Sequence, residues 1–434
     1  MAILLSFSSH ALTSKTSNVI HGNVPYLTFD GGRTRVNDSN GLLGIMLSDG
    51  TQYTLSTNSS SPEKPIVLPV AGQSFADIGM FVPTNTDSVD LSTLIGPHHN
   101  YWGDDDGDSD VTATGSVSLS IVDKSSQSVS RSTVPEICKA PYRVTLSSTN
   151  GTLSTRYGVP NRSDFSANVV TYFVNPKATP IVCFARPNLY MGTDDYAGPS
   201  SMWDPANGFL TQSNDPSSYG QNFPTTGANG LYFDLLISGS SQALSWSPLS
   251  QGGITVTMTN STATSVRVTL TGPFATESQH HSDNPGRLLT LSLPQTFELV
   301  GRDGQGNPVV KYGFTLKQWF VNRGNDTYKH SNALSWCNSI GYRMPRVKDL
   351  TNSSRFSSLG ATPSSHSDHY MRHIGSGFFT EWGRMEDYSG VGFIRSSYRT
   401  SDSIGRHRRY DVHSYGGIVN WHESMPLSVV CAYP

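Results

Sequence analysis

The densest reactive chemistry lies near the end of the chain. Arg406-His407-Arg408-Arg409 follows Arg384, Arg395 and Arg399, and Tyr398, Tyr410, Tyr415 and Trp421 interleave with these cations. Guanidinium groups alternating with aromatic rings are the composition of interface hot spots, so this segment suits recognition of another molecule's surface. The blander alternative is a solvated loop whose arginines pair with Asp402 and Asp411. Nucleic acid would want similar residues, but no nucleic-acid-binding motif accompanies them, and none is expected as a partner.

A second cluster is acidic. Asp104-Asp105-Asp106-Gly107-Asp108-Ser109-Asp110 places carboxylates at Asp104, Asp106, Asp108 and Asp110, with a glycine to turn the loop. That alternation resembles calcium-loop spacing, and the carboxylates would repel one another without a counter-ion. No glutamate stands at the twelfth position, so it is not an EF-hand. The alternative is an acidic turn screened by salt. Calcium is thus the one possible cofactor, and none is required. The pairs His98-His99 and His280-His281 lack the carboxylate or cysteine spacing that completes a metal site. No G-x-S-x-G, H-E-x-x-H or phosphate-binding glycine loop occurs, so the expectation is a non-enzymatic protein.

The elements that must carry these residues follow from composition. The 434 residues are only 15% charged, with 40 glycines and 25 prolines, which is the usage of short strands joined by polar turns rather than of long solvated helices. An aromatic content of 10% excludes a disordered stalk. The net charge of -3 hides an asymmetry. Residues 1–310 hold about 15 basic and 24 acidic side chains, and residues 311–434 about 15 and 9. A basic C-terminal module that meets an acidic partner is one reading of that split, and a basic domain with no electrostatic task is the other.

Four cysteines fall as Cys138 and Cys183, then Cys337 and Cys431, with no C-x-x-C pair. One pair in each charge region favours two intradomain disulfides in an oxidising compartment; four buried thiols is the alternative. The opening Met1-Ala2-Ile3-Leu4-Leu5-Ser6 lacks a basic n-region and a full apolar h-region, so the chain reads as a piece of a longer exported protein.

From about 20 to 310 the pattern is strand, turn, strand. Asp49-Gly50 and Asn150-Gly151 each sit between alternating apolar runs and predict hairpins, 43–47 with 52–55 and 142–146 with 153–157. Ser116 to Val122 alternates Val117, Leu119 and Ile121 with polar residues, as a half-buried strand does. Residues 254–258 and 266–270 repeat that alternation. Several such strands predict tandem β-sandwiches of immunoglobulin type. Residues 187–230 break the pattern and read as a long decorated loop. After 311 the spacing predicts a helix over 327–340 with Ala333, Leu334, Cys337 and Ile340 on one face, a second short helix from Val347, and a final strand over 427–431. The fold class is mainly β, with sandwiches followed by an α+β module. The boundaries are a lead segment 1–22, a β-sandwich region 23–225 containing the loop 187–230, a sandwich 226–310 and the module 311–434.

Specific runs carry a resemblance. Trp336-Cys337-Asn338-Ser339-Ile340-Gly341-Tyr342-Arg343-Met344-Pro345, Gly377-Phe378-Phe379-Thr380-Glu381-Trp382-Gly383 and Val429-Val430-Cys431-Ala432-Tyr433 resemble bacterial C-type lectin-like domains. Pro25 to Gly32, Ser74 to Met80 and His99 to Gly107 resemble the adhesion region of enterobacterial invasin/intimin-type inverse autotransporters, in particular an invasin E-like subgroup. The resemblance implies a cell-surface adhesin, anchored in the outer membrane through a β-barrel outside this chain. Its lectin-like tip would bind a host-cell surface or matrix protein, as a monomer. Where relatives carry Tyr-Trp-Thr-Ser, this chain has Tyr398-Arg399-Thr400-Ser401, so partner identity does not transfer. The Glu-Pro-Asn, Gln-Pro-Asp and Trp-Asn-Asp signatures of calcium-dependent sugar binding do not occur; Asn420-Trp421-His422-Glu423 is the nearest run. Host glycan binding through the 187–230 region, with Trp203 and Tyr219, is the alternative function.

Overall fold

A computed structural model describes residues 22–107, 110–356, 358–405 and 407–434. The lead segment up to residue 21 lies outside these. The chain divides into two compact units, Met1–Ala178 and Thr179–Pro434. Among the described residues no helix is long and apolar enough to cross a membrane.

In the first unit a five-stranded sheet runs in the order Ile66–Val67, Asn168–Asn175, Tyr142–Ser148, Ser116–Val122, Ser88–Asp90. The alternation read from Ser116–Val122 is realised, because Val117, Leu119 and Ile121 are buried against Leu146 and Val144 of the neighbouring strand. A three-stranded sheet of Arg162–Phe165, Gly151–Ser154 and Thr112–Thr114 shares the same core through Leu153 and Phe165. The hairpin expected around Asp49-Gly50 forms, shortened to Ile45–Met46 with Gln52–Tyr53.

The hairpin expected around Asn150-Gly151 does not form. Tyr142–Ser148 belongs to one sheet, and Gly151–Ser154 belongs to the other. The neighbouring segment of the chain makes the same crossing at Gly115, between Thr112–Thr114 and Ser116–Val122. The two glycines abut so closely that a Cβ on Gly115 would stand 2.8 Å from the Gly151 Cα, and Gly115 holds φ +95°. Two strands thus change sheets together, which is how corners of a sandwich are made.

The second unit begins at Thr179, not after 225. Ile181–Arg186 pairs antiparallel with Tyr232–Ser238, so residues 187–230 form an excursion between two neighbouring strands rather than a boundary. That excursion supplies two further strands, Trp203–Asp204 and Gly208–Leu210, to a seven-stranded sheet completed by Ser265–Thr271, Ile254–Thr259 and Leu249–Gln251. A facing sheet of Ser245–Trp246, Gln295–Arg302 and Pro308–Leu316 closes an immunoglobulin-like sandwich over Phe233, Val268, Phe297 and Phe314.

The α+β module follows without a break in the core. Gln318–Asn322 is flanked by Val430–Tyr433, antiparallel, and by Thr226–Ala228 of the excursion, parallel. The expected helix starts later, spanning His330–Ser339 after Lys329 at its N-cap. Its buried face is Ala333, Trp336, Cys337 and Ile340, whereas Leu334 points to solvent. The second helix is a single turn, Val347–Leu350, and the final strand lies later than expected, at Val430–Tyr433. Cys337 and Cys431 are bonded across 94 residues with Cα atoms 5.5 Å apart. Cys138 and Cys183 are disulfide-bonded as well, and no free cysteine occurs among the described residues.

Candidate partner-binding surface

The predicted basic-aromatic residues belong mostly to one antiparallel sheet, Ser397–Ile404, Arg408–His413 and Val419–His422. Neighbouring side chains on a strand point to opposite faces, so an exposed strand hides only every second residue. Ser397–Ile404 departs from that rule, because Tyr398, Arg399 and Thr400 are all buried. Tyr398 packs between Phe379 and Phe393, and its hydroxyl meets the Ile394 backbone. Arg399 is only 4% exposed; its Nε donates to the Tyr328 carbonyl at 2.8 Å and its Nη2 to that of Met425. Burial pushes its guanidinium below the ordinary arginine range, with buried Asp411 opposing. Both residues hold the module together and leave the predicted surface. Tyr410 is also buried, beneath Phe356 at 5.1 Å between centroids.

The remaining residues separate into two clusters at opposite ends of the sheet. Ser397 faces His413 at one end, and Ile404 faces Arg408 at the other. At ~3.3 Å per residue along Arg408–His413, the ends are about 17 Å apart. At the first end Arg395 lies over the ring of Tyr415 at 3.9 Å, and Arg384 lies over Tyr190 at 4.5 Å and Tyr415 at 5.6 Å. Arg384 is ion-paired with Glu386 at 2.8 Å and Asp387 at 3.4 Å, while Arg395 is exposed. At the second end Arg408 lies over Trp421 at 4.2 Å and pairs with Glu423 at 3.1 Å. Arg355 joins this end by donating to Asn420, and Arg409 has no ion pair among the described residues. Trp421 is 39% exposed. Arg406 lies outside the described residues.

Among the described residues no arginine forms an ion pair with Asp402 or Asp411. Asp402 accepts the Val347 amide at 2.7 Å, and Asp411 is buried against His422 Nδ1 at 2.7 Å.

Tyr190 was missed from sequence because it belongs to the 187–230 excursion. Arg372, fully buried, places it there. Its guanidinium donates to the carbonyls of Met191, Glu381, Asn188 and Tyr190, and is stacked between Trp203 at 4.7 Å and Tyr370 at 5.7 Å. Glu381 forms a second tie. Its buried carboxylate accepts the amides of Thr225, Thr226 and Gly375 and both threonine hydroxyls. Burial pushes this carboxyl up, and the donors pull against that shift. For Glu381 the available signal was a carboxylate inside the aromatic run Phe378-Phe379-Thr380-Glu381-Trp382, whereas Arg372, between Met371 and His373 in a polar stretch, carried none.

Trp203 and Tyr219, the expected sugar platforms, are core residues at 2% exposure each. The Trp203 indole donates to Gly192 and is covered by Arg372, and the Tyr219 hydroxyl donates to Glu298 at 2.8 Å. Neither ring has a free face to stack on a sugar.

In the acidic loop, Asp105 pairs with Arg35 at 2.5 Å, Asp106 accepts the Asn23 amide at 2.5 Å, and Asp110 stands 3.5 Å from Arg156. Asp104 accepts the Asp106 amide. These carboxylates are divided among separate protein donors, and Asp108 lies outside the described residues. Among the described residues no three metal-ligating side chains converge.

The described fold is mainly β, with a disulfide-closed lectin-like module after the second unit's sandwich. Over 147 residues the chain is 27% identical to the inverse autotransporter adhesin YeeJ of Escherichia coli (strain K12), a stretch that is 32% of this chain and 6% of that adhesin. The chain thus spans only a small part of the length of the adhesin that it matches. Among solved structures, invasin, a bacterial integrin-binding protein, aligns over 76% of this chain and 52% of its own at 14% identity and TM-score 0.38. A C-terminal 282-residue fragment of intimin, in complex with the intimin-binding domain of its translocated receptor, aligns over 74% of this chain and 86% of its own at 13% identity and TM-score 0.33. No family model matches the chain.

Proposed function

We propose that the chain is the binding region of a bacterial outer-membrane adhesin that holds a host-cell surface or matrix protein through its lectin-like module, without catalysis and as a monomer. The observation that supports this reading is the pair of arginine-capped aromatic residues at the two ends of one sheet, Arg395 on Tyr415 and Arg408 on Trp421. Stacking holds each long cation in place, so less side-chain freedom is lost when a partner docks. The homology to an inverse autotransporter adhesin points to the same role.

Removing residues 311–434 is not a clean test, because Thr226–Ala228 would lose its strand partner and the shared core would open. Point substitutions in the full chain avoid that. Host-cell binding should fall about tenfold or more for Arg408→Ala with Trp421→Ala, or for Arg395→Ala with Tyr415→Ala, at unchanged melting temperature. Undiminished binding by both double variants would refute the proposed surface.

A further inference from the structure

A cleft of about 490 Å³ opens in the first unit beside the pairing of Tyr26–Leu27 with Trp102–Gly103. Its walls come from two sequence motifs, 25–32 and 99–107, that the lectin-like surface does not use. Tyr26, Phe29, His99, Asn100, Tyr101 and Trp102 line it. The five rings are all half-buried, so each is anchored on one side and open on another. Phe29 meets Phe81 edge-on at 5.1 Å, and Tyr101 and Trp102 pack against the unit's core. His99 and Tyr101 sit 5.2 Å apart. A fringe of core aromatics would normally close over itself; here it surrounds a space within the ~300–1,000 Å³ of small-ligand sites.

The electrostatics narrow the ligand. Arg35, stacked on Tyr26 at 4.6 Å, is neutralised by Asp105. The Asp30 carboxylate is occupied by the Thr28 hydroxyl and by the amide and hydroxyl of Thr34. Arg35 is thus cancelled, whereas Asp30, held by neutral donors, keeps its negative charge and disfavours an acidic ligand; the lining itself combines the five rings with backbone and the polar side chain of Asn100. Asn100 also holds φ +51°, a conformation that costs a non-glycine residue free energy. Flat apolar faces with hydrogen-bonding groups at their edge complement a pyranose ring, which has a C–H face and a hydroxyl rim.

We propose that this cleft binds a neutral oligosaccharide, giving the chain a glycan site separate from the protein-binding surface. The test uses the full chain on an array of immobilised neutral and sialylated oligosaccharides. Asn100→Gly removes the rim amide while glycine tolerates the positive φ, so the fold is retained. The wild type should be retained by neutral oligosaccharides, and Asn100→Gly and His99→Ala should each weaken retention about fivefold or more at unchanged melting temperature. Arg408→Ala with Trp421→Ala should leave retention intact. No retention on any neutral oligosaccharide, retention on sialylated ones alone, or retention indifferent to both cleft substitutions would overturn the proposal.

Discussion

Glu381 Oε2 accepts both the amide of Thr226, at 2.9 Å, and its hydroxyl, at 2.5 Å, joining residues 155 positions apart in the sequence. The Trp382 indole donates to the Thr226 carbonyl at 3.0 Å, so the strand Thr226–Ala228 is held from both sides. Through this contact the excursion from the preceding sandwich becomes part of the lectin-like module.

Glu381→Gln turns one acceptor oxygen into an amide facing N–H donors, and should cost about 3 kcal/mol. Thr226→Val removes a single hydroxyl donor and should cost about 1–2 kcal/mol. Urea unfolding of the two variants should rank them in that order. Equal midpoints for Glu381→Gln and wild type would contradict the tie.

Arg372→Met leaves the carbonyls of Asn188, Tyr190 and Met191 without their donor and releases the segment that carries Tyr190. Stability should fall by roughly 3 kcal/mol, and host-cell binding should weaken as the Tyr190–Tyr415 cluster loosens. Tyr190→Ala, half exposed, should weaken binding with little change in stability. If Arg372→Met lowers stability while binding by the folded protein is unaffected, Arg372 does not position that cluster.

The Cys337–Cys431 bond closes 94 residues, a loop whose chain-entropy contribution is about 4–5 kcal/mol. Cys337→Ser with Cys431→Ser should lower the denaturant midpoint accordingly. A shift below about 1 kcal/mol would mean that core packing alone holds the module closed.

Acid should weaken the second unit before carboxylates titrate. Burial pushes His280, His330, His373 and His413 below the ordinary imidazole value of 6.5. Unfolded, these groups bind protons near pH 6.5 while the folded unit still excludes them. Their contribution is therefore fully present above that pH and is lost as pH falls toward the depressed values. Glu381, raised by burial, works in the opposite direction, its contribution declining as pH rises above the usual carboxylate range. The melting temperature should drop from pH 7.5 to 5.5, and His373→Gln with His413→Gln should flatten that slope. A level profile in the wild type would rule this out.

The sequence by itself determined what depends on local spacing. The period of two in Ser116–Val122 placed Val117, Leu119 and Ile121 inside, because alternate side chains of a strand must share a face. Two cysteines bracket the last module, and its arginines fall among aromatic residues. Tertiary structure alone decided which of those residues reach solvent. Tyr398 and Arg399 are adjacent and both buried, since their strand is covered on both faces, and no local pattern encodes a second cover. Tyr190 meets Tyr415, and Thr226 meets Glu381, only because an excursion between two paired strands folds back onto a later module. Asn150-Gly151 carries a hairpin signal, yet the close approach of Gly115 sends the chain into the other sheet. Turn chemistry permits a reversal; the packing of distant backbone decides whether the chain makes one.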